Sequence, residues 1–187
     1  MKGPGMFRSA FPVIKTENLV MRKVRPEDIV LYNALSDPST SLYEFWEPHR
    51  TYEDTQEFLE KIFARYAAGK YFNWTIERRE DGEPVGMISF HDIFPLHARA
   101  DIGFWIVKRF RNNGYATEAA AAMIDYGFRK LGLERIQALC AVENTASCRV
   151  LEKAGMKREA RLEKYVRLNI DRDRLSDVFM YTIFPRF

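Results

Sequence analysis

Residues 115–131 constrain the fold more than any other part of the chain. Small and apolar residues recur there at helical spacing, namely Ala116, Ala119, Ala120, Met123, Ile124, Gly127, Phe128 and Leu131. Gly132 follows at the position where a helix commonly ends in the left-handed conformation. Such a face must be covered, and the β-rich runs 102–107 and 135–142 on either side indicate that a sheet covers it. The sequence therefore predicts a strand–helix–strand unit at the centre of the fold.

The remaining segments extend this unit to one α/β domain with a mixed sheet. Thr51 and Asp54 resemble a capping box that begins a helix, and Gly69 is expected just after its end. Pro26 begins an earlier helix that runs to residue 35, with Glu27 and Asp28 in the first turn, where the helix dipole favours them. The other expected elements are strands at 19–24, 71–77 and 85–90, a hairpin turn at 80–83, a short helix at 145–154 and two strands around 169–174.

Composition limits the size and partners of the protein. A chain of 187 residues with 47% apolar content suits a single domain over residues 1–187, in which we expect 1–15 to be a loosely ordered N-terminal extension. The formal charge of +3 indicates no direct nucleic-acid partner, and no apolar run approaches a membrane span. These features favour a cytoplasmic protein and leave monomer and homodimer open.

Cysteine and histidine usage indicates no metal. Cys140 and Cys148 fit the spacing of no zinc or redox motif, so we expect two reduced thiols. His49, His91 and His97 likewise lack metal-ligand spacing.

The loop before the central helix is a candidate phosphate site. A helix N-terminus presents unpaired N–H groups and partial positive charge, and Gly114 allows these groups to turn around an anion. Arg109 and Arg111 add positive charge, and Thr117 adds a hydroxyl. An ordinary basic loop is the alternative for this segment taken alone. ATP and NAD are poor candidates, because no Lys-Ser/Thr pair follows Gly114 and no glycine triad is present.

The segment 111–116 resembles the signature Q/R-x-x-G-x-G/A of the GNAT superfamily of N-acetyltransferases. Other segments of the chain resemble the RimJ/RimL-type branch of this superfamily. These segments are 16–22, 100–106, 116–119, 144–147, 151–156 and 177–181. The resemblance covers nearly the whole chain. It implies a mostly antiparallel central sheet flanked by helices, and an enzyme that uses acetyl-CoA to acetylate a primary amine.

The resemblance also implies a set of site residues. Ser147 is expected beside the coenzyme sulfur as donor to the leaving thiolate, Asn144 beside the pantetheine arm or the amine, and Asp101 as a base that accepts the amine proton. The expected coenzyme contacts are Phe104, Trp105, Ile106, Val107, Arg109, Arg111, Asn112, Asn113, Gly114, Tyr115, Ala116, Thr117, Asn144, Ser147 and Lys153. Tyr43, Trp46 and His91 are the expected contacts of the acceptor.

Each of these residues also has a plain structural interpretation. Ser147 and Asn144 are typical of helix caps and turns, Asp101 of a solvated strand end, Lys153 of an exposed helix face, and the aromatic residues of a minor core. Two departures from the family pattern matter. Asp101 stands where this branch often has Glu, and Leu151 stands where many family members have a Tyr that protonates the thiolate.

Three functions are compatible with this sequence. The branch resemblance favours acetylation of the N-terminal α-amine of a protein or peptide. The alternatives are an acetyltransferase for a small amine, such as a polyamine, amino acid or antibiotic, and a non-catalytic module that binds acyl-CoA.

Overall fold

The computed structural model describes residues 11–68 and 72–185. Eight strands form one sheet in the order β1-β2-β3-β4-β5-β6-β8-β7. They are β1 (Ile14–Lys15), β2 (Leu19–Lys23), β3 (Phe72–Arg78), β4 (Pro84–Phe94), β5 (Arg99–Ile106), β6 (Arg135–Ala141), β7 (Lys157–Leu168) and β8 (Asp171–Ile183). All neighbouring pairs are antiparallel except β5 and β6. The expectation of a mostly antiparallel sheet flanked by helices is confirmed.

Within the described residues, five α-helices flank the sheet. They are α1 (Tyr32–Leu35), α2 (Pro38–Ser41), α3 (Tyr52–Ala67), α4 (Tyr115–Leu131) and α5 (Thr145–Lys153). The predicted capping box of Thr51 and Asp54 begins α3. Gly69, the predicted end of that helix, lies outside the described residues. In the part of the chain that the structure describes, no helix combines the length and apolar character needed to cross a membrane.

Helix α4 has the predicted bounds and packs closely on the sheet. Gly127 allows this approach, because a Cβ there would lie 2.8 Å from Cδ1 of Ile136 and 2.9 Å from Cζ of Phe90. Gly132 ends the helix with φ = 66°. The helix therefore covers one face of the sheet, whereas α3 and the segment 26–31 cover the opposite face.

The predicted helix from Pro26 to residue 35 is present, but it is not α-helical throughout. Residues Pro26–Leu31 form a 3₁₀ turn, and only Tyr32–Leu35 are α-helical. Glu27 and Asp28 lie in the first turn as expected, and the buried Asp28 carboxylate accepts two hydrogen bonds from Arg22 and one from Thr75. These contacts join the segment 26–31 to β2 and β3.

The two ends of the chain also differ from the expectation. Residues 1–10 of the expected extension lie outside the described residues, whereas Ile14–Lys15 pair with β2 and the Pro12 carbonyl accepts a hydrogen bond from Trp74. At the other end, the two strands expected around 169–174 are present but longer than expected. They are β7 and β8, which form a long hairpin with its turn at 169–170.

Candidate active site

The two parallel strands at the centre of the sheet separate and leave an open strand edge. β5 pairs with β6 only through Arg99, Ala100 and Asp101. Within the described chain no residue pair joins the two strands beyond Asp101, which indicates that they diverge there. An opening bounded by β5 and β6 therefore begins at Asp101.

The register with β4 determines which backbone groups of β5 face this opening. The Val107 amide donates to the Val85 carbonyl at 2.8 Å, and alternate residues of an antiparallel pair exchange both hydrogen bonds. Trp105 thus directs its backbone groups toward β4, as Val107 does. Phe104 and Ile106 direct theirs toward the opening. Of the four expected coenzyme contacts on this strand, these two present backbone amides to a ligand.

The N-terminus of α4, the predicted phosphate cradle, follows this strand after the loop 107–114. Gly114 precedes the helix with φ = 82° and no side-chain cap among the described residues, and Asn112 is also left-handed with φ = 67°. The first amide with a helical partner is that of Glu118, which donates to Gly114 at 3.0 Å. The amides of Tyr115, Ala116 and Thr117 precede it and lack helical acceptors. They form the kind of N-terminus that binds a pyrophosphate.

The two arginines of the cradle do not point freely into it. Arg111 turns inward and donates through Nε to the Ile106 carbonyl at 3.1 Å and through its terminal nitrogens to Ser39 and Thr40. Arg109 forms an ion pair with Glu83. Asn113 closes the loop by donating to the Phe110 carbonyl at 3.2 Å. Arg111 therefore holds the end of β5 against α2, and both arginines have structural partners in addition to any ligand.

Asn144 and Ser147 meet at the start of α5. The Asn144 side-chain oxygen accepts a hydrogen bond from the Ser147 amide at 3.1 Å and so caps the helix. This contact uses the carbonyl of Asn144 and leaves its amide nitrogen as the donor toward a ligand. The Ser147 side chain is half-buried in the first turn. Leu151, where many relatives carry Tyr, is only 2% exposed and belongs to the core.

A pair of thiols lies beneath this helix turn. The Sγ atoms of Cys140 on β6 and Cys148 on α5 are 3.3 Å apart, and both cysteines are free. Burial, together with Cys148 and the carboxylate of Glu44, raises the pKa of Cys140 well above its usual range.

Asp101 lies at the base of the opening beside His91. The two residues are partners across β4 and β5, and the His91 ring covers Gly103, where a Cβ would lie 2.9 Å from Cε1 of His91. Asp101 is 8% exposed, accepts from Gln137 at 3.2 Å, and leaves Oδ1 buried without a hydrogen-bond partner. Burial raises the pKa of Asp101 and lowers that of His91. Asp101 is therefore a buried carboxyl and not a solvated strand end.

His91 and Asp101 also form a possible ligand group with Asp92. Their ligand atoms lie within 4.8 Å of one another. The spacing along the sequence did not reveal this group, because it forms across two strands. The absence of a metal remains a prediction.

The other expected site residues lie on the connector between α2 and α3 and on α5. Tyr43 and Trp46 are half-buried in the connector between α2 and α3, and Trp46 contacts His49 edge-to-face with ring centroids 6.0 Å apart. Lys153 is exposed in the last turn of α5, six residues beyond Ser147. Its contact with the coenzyme remains a prediction.

Sequence analysis missed Glu44 and Asn169. Asn169, at the turn between β7 and β8, binds the connector through three hydrogen bonds, to the carbonyls of Ser41, Glu44 and Trp46. Burial raises the pKa of Glu44 to about 7, although a hydrogen bond with Trp46 opposes that shift. A polar residue among four apolar neighbours, Leu42, Tyr43, Phe45 and Trp46, was the available signal for Glu44.

A strand edge that opens beside a helix N-terminus defines a site for an extended molecule with amides and a pyrophosphate, as in acyl-CoA-dependent transferases. The family profile of the GNAT acetyltransferase domain matches residues 18–157. The chain therefore belongs to the GNAT family and is an N-acetyltransferase, and enzymes of this family use acetyl-CoA.

Two relatives from bacilli resemble most of the chain. A Bacillus subtilis protein named uncharacterized N-acetyltransferase YoaA is 32% identical over 160 residues, which are 85% of this chain and 90% of the relative. The crystal structure of a GNAT-family acetyltransferase from Bacillus anthracis is 34% identical with a TM-score of 0.80, and the match covers 92% of this chain and 98% of that one.

Two further similar proteins act on different amines. The structure of RimL, a ribosomal L7/L12 α-N-protein acetyltransferase, in complex with coenzyme A shares the fold, with a TM-score of 0.82, 21% identity and coverage of 92% and 98%. The spermidine N(1)-acetyltransferase of Escherichia coli K12 is 26% identical over 144 residues, which are 76% of this chain and 74% of the relative.

Proposed function

We propose that this enzyme transfers the acetyl group of acetyl-CoA to the N-terminal α-amine of a protein or peptide, as RimJ/RimL-like enzymes do. The observation that carries the proposal is the opening between β5 and β6, with the α4 N-terminus at one end and Asn144 and Ser147 beside it. The resemblance of the sequence to that branch supports the choice of acceptor.

The coenzyme fits this opening from the phosphates to the thioester. The amides of Tyr115, Ala116 and Thr117 bind the pyrophosphate, and positive φ at Gly114 turns the loop around it. The Phe104 and Ile106 backbone amides face the opening, where one can bind the pantetheine arm and the other the thioester oxygen as it becomes an oxyanion.

Ser147 supplies the proton donor for the leaving group. A free thiol has a pKa of ~8.5, so the departing thiolate is only modestly basic and a hydroxyl can donate to it. No tyrosine is available at residue 151, where Leu151 is part of the core. This leaves the first turn of α5 as the source of the donor.

The chemistry of the acceptor favours an α-amine over a lysine side chain. An α-amine has a pKa of ~7.7–8.0 against ~10.4 for lysine, so a larger fraction is neutral at working pH. In this proposal the first residues of the peptide bind beside the connector with Tyr43 and Trp46, which Asn169 of the β7–β8 turn holds through the Ser41 and Trp46 carbonyls.

A polyamine is the second candidate acceptor. The similarity to the Escherichia coli spermidine acetyltransferase supports it. The carboxyl groups of Glu44 and Asp101, which belong to the connector and β5, can also bind a cationic amine.

A comparison of acceptors tests this assignment. We expect kcat/KM to be higher for a short peptide with a free N-terminus than for the N-blocked form of the same Lys-containing peptide, spermidine or an aminoglycoside, measured by release of the coenzyme thiol. A clear preference for spermidine would indicate that the acceptor is a polyamine and not the N-terminus of a peptide. Tight binding of acetyl-CoA without thiol release for any amine would indicate a non-catalytic binding module.

A further inference from the structure

We infer that Cys140 and Cys148 form a thiol–disulfide exchange site for low-molecular-weight disulfides, and that its oxidation displaces the helix turn that carries Ser147. The inference goes beyond acetyl transfer. Formation of the disulfide is independent of the proposed function, and only its effect on the rate rests on the role assigned to Ser147.

The two sulfur atoms lie close enough to react with each other. The Sγ atoms of Cys140 and Cys148 are 3.3 Å apart, and both thiols are free. The sulfur atoms of a disulfide lie ~2.0 Å apart, so formation of the bond requires an approach of roughly 1.3 Å. The chain has only these two cysteines, so no other thiol of the same chain competes for the bond. An intramolecular disulfide is therefore the oxidation product that proximity favours.

Both cysteines contact the same carbonyl at the turn between β6 and α5. The Cys140 thiol donates to the Asn144 carbonyl at 3.5 Å, and the Cys148 amide donates to that carbonyl at 3.1 Å. The Cys140 thiol also lies 3.6 Å from the Ala141 carbonyl. The short segment 140–148 thus brings the two sulfur atoms together by its own contacts, without the help of a distant loop.

The surroundings of the pair suit exchange better than metal binding. A structural zinc site takes four ligands. Among the residues that the structure describes, no histidine or carboxylate completes a set of three possible ligands with these two thiols. The pair therefore has the composition of a dithiol that is oxidised and reduced.

The two thiols differ in exposure, and this difference sets the order of the steps. Cys140 is 5% exposed, whereas Cys148 is half-buried in the first turn of α5. Burial also raises the pKa of Cys140, which disfavours its thiolate. Cys148 is therefore the residue that attacks an incoming disulfide, and Cys140 is the residue that resolves the mixed disulfide.

The exchange balances with the small disulfide as the oxidant. The Cys148 thiol loses its proton to solvent, and its sulfur attacks one sulfur of the small disulfide, whose S–S bond breaks to release a thiolate. The Cys140 thiol then loses its proton, and its sulfur attacks Sγ of Cys148, which releases the second thiolate. The two thiolates take up two protons. The protein pair loses two electrons, and the small disulfide is reduced to two thiols.

The new bond draws the first turn of α5 toward β6. This turn begins at the Asn144 cap and includes Ser147, the proposed proton donor, which directly precedes Cys148. A displacement of about 1 Å can lower the rate of an enzyme by about 10²-fold, so we expect oxidation to lower kcat by ~10- to 100-fold. A thiol reductant should restore the rate, because the exchange is reversible.

The test treats the reduced enzyme with an excess of oxidised glutathione. Alkylation of the denatured chain, followed by mass spectrometry, counts free thiols and retained glutathione. After the glutathione is removed, the acetylated product gives kcat. In the wild type we expect neither cysteine to be alkylated, no glutathione to be retained, and a lower kcat that dithiothreitol restores.

Two serine variants serve as matched controls. Cys140→Ser keeps the size of the side chain, and its hydroxyl can donate to the Asn144 carbonyl as the thiol does. In this variant Cys148 should retain one glutathione, because no second thiol displaces it. Cys148→Ser should stay unmodified, since Cys140 is buried. Before treatment, both variants should have a kcat close to that of the wild type.

Each part of the inference has its own contradicting result. Alkylation of both cysteines in the treated wild type, retained glutathione, or a disulfide between two copies of the chain would overturn the exchange site. This measurement needs no substitution, so it decides the question even if a serine variant does not fold. An intramolecular disulfide with an unchanged kcat would overturn the displacement of Ser147. Absence of transfer by the reduced enzyme to any amine would instead overturn the proposed function and leave the thiol count unaffected.

Discussion

The buried ion pair of Arg22 and Asp28 leads to a prediction for stability. The Asp28 side chain is 1% exposed and that of Arg22 is 7% exposed, with 2.7 Å between the Arg22 terminal nitrogen and Oδ1. Asp28 also accepts from Thr75 at 2.6 Å and from the Arg25 amide at 2.9 Å. Asp28→Asn removes the charge, keeps the shape and leaves the Arg22 guanidinium with Glu77 as its remaining carboxylate.

The magnitude follows from the burial of the pair. Breaking a buried ion pair costs ~3–5 kcal/mol, and the contact of Arg22 with Glu77 places the expected loss near the lower end, about 3 kcal/mol. For a chain of this size that loss lowers Tm by roughly 6–12 °C. Asp125→Asn is the matched control, because Asp125 is 59% exposed in its pair with Arg129 and should lose only ~0.5 kcal/mol.

Urea denaturation, followed by fluorescence, measures both free energies of unfolding. The pH dependence provides a second check. Burial alone would raise the pKa of Asp28, but the hydrogen bonds from Arg22 and Thr75 hold it below the usual value. A lowered folded-state pKa stabilises the protein above the unfolded pKa of ~3.9, and this contribution is lost as the pH falls through the folded value. The difference in free energy of unfolding between the wild type and Asp28→Asn should therefore become smaller at acidic pH. The reasoning would be refuted if Asp28→Asn lowered the free energy of unfolding by less than ~1 kcal/mol at neutral pH. It would also be refuted if the difference in this free energy from the wild type did not change with pH.

The remaining predictions concern coenzyme binding and catalysis. Gly114→Val should weaken coenzyme A binding by at least ~10-fold, because the side chain obstructs the approach of the phosphates and positive φ is disfavoured. Gly82→Val is its control, since Gly82 also has positive φ and open space around a Cβ. If a calorimetric titration gave equal coenzyme affinities for the two variants, Gly114 and its loop would not be the phosphate site. Ser147→Ala should lower kcat by ~10- to 1000-fold with little change in coenzyme affinity. Stopped-flow measurement of thiol release provides the test. If Ser147→Ala released the thiol at the wild-type rate, solvent rather than Ser147 would protonate the thiolate.

Local sequence predicts the elements whose signals are complete within a few residues. Helix α4 has the expected bounds because its apolar face, the glycine before it and the glycine after it all act on the same short segment. The cap of α3 and the positive φ at Gly114 follow for the same reason. The helical segment 26–35 also has the expected bounds, but the burial of Asp28 could not be predicted, because its partner Thr75 lies 47 residues away and no local pattern contains it.

The same distinction between local sequence and tertiary contacts applies to the candidate site. The sequence by itself determined that a helix begins after Gly114 and another after Asn144, because the residues that start a helix lie within a few positions of one another. Only the tertiary structure decided that Arg111 turns inward to Ile106, that Asp101 is buried beside His91, and that Asn169 holds the connector containing Glu44. Those contacts join residues that are distant in the chain or lie on neighbouring strands. Burial, which depends on the whole fold, raises the pKa values of Asp101 and Glu44.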